Sequence, residues 1–88
     1  MNIVYAPTYR VTPRGSVMEI HGLLFKDPWG DTLSFRADAT YGAVNLTRTP
    51  SGWRAWVVDA KNVPHEHHES TDAVAAVLLA VRPFEEPF

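Results

Sequence analysis

The sequence predicts an α+β domain: a small antiparallel β-meander of three to five strands with one C-terminal α-helix packed on one face. Three observations carry this reading. Residues 33–38 alternate apolar and polar side chains, residues 41–60 form two strand-like runs around the turn residues TPSG, and residues 70–82 hold an apolar stripe at helical spacing.

Taken in order, the chain begins with an apolar cluster at Ile3, Val4 and Tyr5, followed by Pro7 and Pro13. Proline has no N–H to give to a ladder, so a strand in this segment belongs at a sheet edge. Residues 16–25, SVMEIHGLLF, fit two templates. As a helix, Ser16 and Glu19 form a capping box, and Val17, Ile20 and Leu24 share a face. As a strand, Met18, Ile20, Gly22 and Leu24 point one way, with Glu19 and His21 opposite. The turn-forming loop KDPWGD that follows separates two apolar runs, as a hairpin requires, and favours the strand. The helical alternative gives an α-β-β-β-α order. Double-stranded RNA-binding domains share that order, but the basic residues they need at the second helix are missing here.

Leu33, Phe35 and Ala37 then face one side, with Ser34, Arg36 and Asp38 on the other. In the next hairpin Val44 and Leu46 share a face, and Trp53 and Val57 lie opposite Arg54 and Trp56. KNVPHEHHES reads as a polar connector. In the helix, Ser70 or Thr71 caps the start and Asp72 suits the positive N-terminal dipole. Val74, Val77, Leu78 and Val81 make one apolar face, and Ala75, Ala76 and Ala80 allow close approach to a sheet. Arg82 sits in the last turn, and Pro83 is expected to end the helix.

The 88 residues make a single domain over 1–88, with 83–88 as a short Pro/Phe tail. A chain this short buries a modest share of its surface, so a homo-oligomer or a bound partner would add stability. Hydrophobic residues make up 45% and charged residues 20%, the balance of a core-forming protein. The net charge of −2 disfavours non-specific nucleic-acid binding, which rests on excess basic charge. Residues 60–88 hold five acidic and two basic side chains, so the acidic end suits a basic partner.

The absence of cysteine excludes disulfides, thiolate metal sites and thiol nucleophiles. No apolar run is long enough for a membrane helix, and the N-terminus lacks the pattern of a signal peptide. A cytoplasmic protein without membrane contact is therefore expected. Six arginines against two lysines, with plentiful Ala and Val, resemble the usage of a GC-rich bacterium or its phage.

Candidate site residues fall into two groups. Trp29 at a turn tip, Trp53, Arg54 and Trp56 on the hairpin, and Phe84 and Phe88 in the tail are anchors for another protein. The same Trp and Arg residues, with Arg36 and Arg48 nearby, offer a stacking platform for single-stranded nucleic acid, the less favoured partner. The second group is His65, His67, His68 and Glu69, a metal-ligand set only if a distant ligand such as His21 joins it.

No nucleophile elbow, phosphate-cradling loop or HExxH motif occurs, so no catalytic residues are assigned, no enzyme is expected and no cofactor is implied. The reading is a small non-enzymatic protein-binding module, such as a phage-encoded or accessory bacterial protein that modulates a host protein.

Overall fold

The computed structural model describes residues 8–12 and 15–85 of the chain, with side chains from residue 17 onward. The apolar cluster at residues 3–5 and the expected anchor Phe88 lie outside them. The strands are β1 (Thr8–Thr12), β2 (Gly15–Ile20), β3 (Leu23–Lys26), β4 (Ser34–Ala39), β5 (Gly42–Thr49), β6 (Gly52–Asp59) and β7 (His68–Ser70), followed by helix α1 (Ala73–Glu85). They form one antiparallel sheet in strict sequence order, with β1 at one edge and β7 at the other. The meander with one C-terminal helix is the predicted α+β architecture, built from seven strands rather than three to five.

Two of the extra strands come from segments that look, in the sequence, like one continuous run and an irregular connector. Residues 16–25 form a hairpin, so neither the single long strand nor the helical alternative holds. His21 (φ 53°) and Gly22 (φ 76°) both adopt left-handed backbone, the signature of a two-residue type I′ turn. The turn reverses the alternation: Met18 pairs with Phe25 and Ile20 with Leu23. Phe25 is consequently 0% exposed, while Leu24, expected on the inner face, is 44% exposed.

The supposed connector is also ordered, as the partner of β6. His65 N–H donates to the Val57 carbonyl at 2.8 Å, Pro64 bridges Val58, and β7 pairs with Trp53, Arg54 and Ala55. The outer edge of an eight-residue strand carries a row of donors and acceptors that must be satisfied, and this segment satisfies them.

Helix α1 lies over β5, β6 and β7. Its start is shaped by the expected polar residues, with the Asp72 N–H bonded to Ser70 Oγ and the Val74 N–H to Asp72 Oδ1. Its buried face is Ala73, Ala76, Val77, Ala80 and Val81, turned from the predicted Val74–Val77–Leu78–Val81 stripe toward the alanines. Small side chains let the helix backbone sit close to the sheet, and the larger Leu78 is left half-buried. Pro83 does not end the helix, which runs on to Glu85. In the last turn proline removes only one backbone bond. Contacts of the next two residues hold that turn in place: Phe84 stacks on Tyr41 at 5.3 Å, and Glu85 bonds His21 and Tyr41.

A single core cluster joins the sheet to the helix. Met18, Ile20, Phe25, Phe35, Val44, Leu46, Ala55 and Val57 meet the helix residues above, all buried. Among the described residues no helix is long and apolar enough to cross a membrane.

Candidate functional site on the helix-free sheet face

The pleat that sends Phe35, Val44, Leu46, Ala55 and Val57 into the core sends their neighbours to the opposite face, which no helix covers. Strand register then sorts these outward residues into lines running across the strands. One line is Lys26–Arg36–Asn45–Trp56, each residue paired with the next. A second is Ser34–Thr47–Arg54–Glu69. At about 4.8 Å per strand, the first line spans roughly 14 Å.

Above these lines stands the β3–β4 loop, residues 27–33. Asp27 is 2% exposed, and its carboxyl group accepts the N–H groups of Trp29 (3.2 Å), Gly30 (2.9 Å) and Thr32. Asp at a turn favours such local bonding, and here it closes the loop into a fixed cage. Leu33 N–H bonds Asp31 Oδ1, and the Leu33 carbonyl accepts Arg48 N–H at 2.8 Å, tying the loop to β5. Thr32 holds φ 60°, a left-handed conformation that is costly for a β-branched residue. The same loop presents Trp29 with 75% of its surface exposed.

Between loop and sheet lies a groove of about 430 Å³, lined by Trp29, Ser34, Arg36, Asn45, Thr47 and Trp56. Ser34 and Thr47 hydroxyls bond each other across its floor at 2.9 Å. Trp56 stacks on His67 at 4.3 Å, which steadies the indole at the groove wall. Arg54 Nη2 lies 3.3 Å from Glu69 Oε1 at the margin. Arg36 stands 3.9 Å from Asp38 with both side chains largely exposed, a loose contact that leaves the guanidinium open at the groove.

The expected anchors thus separate. Trp29 and Trp56 share the groove, and Arg54 borders it. Trp53 faces the core instead, against Phe35 at 6.1 Å and beneath the Arg48 guanidinium at 5.5 Å. Phe84 lies between Tyr41 and His65, edge-on to the imidazole at 4.8 Å.

The histidine group separates too. His65 Nε2 bonds Asp59 Oδ2 at 2.9 Å, His67 stacks on Trp56, His68 pairs with Ala55 in the ladder, and Glu69 meets Arg54. His21, the distant candidate, bonds Glu85. Strand alternation sends neighbouring members to opposite faces. Among the described residues no three His, Asp or Glu side chains come together to hold a metal ion.

Two titrating groups mark the rim of the helix end. Burial, reinforced by the Glu85 carboxylate and its hydrogen bond, pushes the Tyr41 phenol well above its usual range. The His65 hydrogen bond, followed by the Val63 backbone N–H, holds Asp59 below the usual carboxylate range.

Lys26 and Asn45 were not singled out from the sequence, and Arg36 appeared only as a neighbour of the hairpin. The register between β4, β5 and β6 places them in one line, set by the turns at Thr40-Tyr41 and Pro50-Ser51, of which the sequence marks the second as TPSG. No family model, curated protein or solved structure matches the chain.

Proposed function

We propose that this protein is a non-enzymatic binding module that holds a segment of another protein in the Trp29–Trp56 groove. The observation that supports this most is the placement of Trp29. A large apolar side chain stands exposed on a loop caged by a buried carboxyl group, and such pre-ordered aromatics supply most of the energy at protein interfaces. Polar groups on the groove floor orient the ligand, and Trp56 forms the second wall. A cysteine-free chain suits the reducing cytoplasm, where we place this activity.

The test is selection of short random peptides on the wild-type protein, repeated on Trp29→Ala and Trp56→Ala. Recovery of peptides that bind the wild type and lose about thirtyfold in affinity on either variant supports the reading, as expected for interface hot spots. If nothing is recovered, or binding ignores both substitutions, the groove is not the docking site.

A second reading uses the same face for single-stranded nucleic acid, with Lys26 and Arg36 on the cross-strand line that ends at Trp56. It requires affinity for oligothymidylate that falls steeply with rising salt.

A further inference from the structure

The groove's charge pattern identifies what kind of segment would occupy it, granted that it binds a protein segment at all. Lys26 and Arg36 are cross-strand neighbours on the line that continues through Asn45 to Trp56. Acidic side chains stand on one flank of this pair. On one side, Glu19 pairs with Leu24 and Asp38 with Ala43, one outward position along the strands from the cationic line. On the other flank stands the neutral Ser34, and at the far end of its line Arg54 is already engaged by Glu69. A nucleic-acid backbone carries a charge at every residue, so one laid on this face would meet acids as well as cations. A peptide places carboxylates singly and can match an isolated pair of cations with acids along one side.

We infer that the groove receives an extended acidic peptide segment lying across the strands, with carboxylates at Arg36 and Lys26 and an apolar or aromatic side chain between Trp29 and Trp56. Arg36 fits this role by its planar, multi-donor guanidinium, which receives a carboxylate through two parallel hydrogen bonds. Asn45, next in the line, offers an amide to the peptide backbone. Lys26 and Arg36 set specificity, because a basic segment laid along this line would face like charge at both positions.

The probe is the same random-peptide library, read for the composition of the peptides that depend on Trp29. The expected outcome is enrichment of Asp and Glu around one apolar residue. A recovered peptide should weaken about tenfold on Arg36→Glu, and by a smaller factor on Arg36→Gln, as charge pairs at an interface do. Replacing the peptide's own Asp and Glu by Asn and Gln should weaken it similarly, with the protein still folded by circular dichroism.

Trp29-dependent peptides that are neutral or basic would overturn the acidic assignment and leave the docking site standing. Absence of any Trp29-dependent peptide would remove both. Tighter binding of oligothymidylate than of the recovered peptides, with displacement of those peptides, would replace the assignment with the nucleic-acid one.

Discussion

Trp53 and Trp56 leave the same strand three residues apart, one toward the helix-covered face and one toward the bare face. Trp53 packs on Phe35 beneath Arg48 and belongs to the margin of the core. Trp56 stacks on His67 and lines a groove with Trp29. The covered face is apolar and closed by alanine-rich helix; the bare face is polar, charged and carries its aromatics at a groove. Aromatic residues of one type therefore divide between the core margin and the open groove according to the pleat, and the two faces should respond to substitution in opposite ways.

The largest expected effect breaks the covered face. Phe25→Ala, at a fully buried position, should cost about 3–5 kcal/mol in denaturant unfolding. Arg36→Ala on the bare face should change stability by less than about 0.5 kcal/mol. Comparable losses at the two sites would mean that the faces are not functionally distinct.

The next effect contrasts the tryptophans directly. Trp53→Ala should destabilise by about 1–3 kcal/mol, scaled to a half-buried ring, and leave peptide binding intact. Trp29→Ala should do the reverse, with stability within about 0.5 kcal/mol and binding lost.

Asp27→Ala tests whether the loop is pre-ordered. It strands the N–H groups of Trp29, Gly30 and Thr32, so a loss of about 1–3 kcal/mol is expected together with weaker binding, although Asp27 does not line the groove. Undiminished binding in that variant would show that the cage is unnecessary.

The smallest effect concerns pH. Asp59 is held below its usual pKa by His65, so its contribution is present above the ordinary carboxylate range and fades as pH falls through the depressed value. Asp59→Asn should lower the melting temperature at neutral pH, and the gap to wild type should close below about pH 4. A gap that persists in acid would locate the effect elsewhere.

Much of the fold was legible because helix and hairpin signals are local. Alternation in residues 34–38, the TPSG turn and the apolar stripe of 74–81 each depend on neighbours within a few positions. The misread places have definite causes. His21-Gly22 is a two-residue turn without the commoner Asn or Asp, so a hairpin passed for one interrupted strand. The histidine segment has little strand propensity of its own and is ordered by the free edge of β6. Pro83 was read as a stop because the contacts of Phe84 and Glu85 with Tyr41 and His21 join residues more than forty positions apart. Of the site, Trp29 and Trp56 could be named from composition and turn position. Their convergence with Arg36 and Asn45 could not.

By itself the sequence determined the α+β class, the central hairpin, the helix and the exclusion of cysteine chemistry, since these rest on composition and short-range periodicity. The tertiary structure decided which tryptophan lines the open groove, which histidines are bound to other groups, and that Trp29, Arg36, Asn45 and Trp56, from a loop and three strands, share that groove. Those outcomes depend on strand register and on what covers each face, and both arise from pairing between residues far apart in the chain.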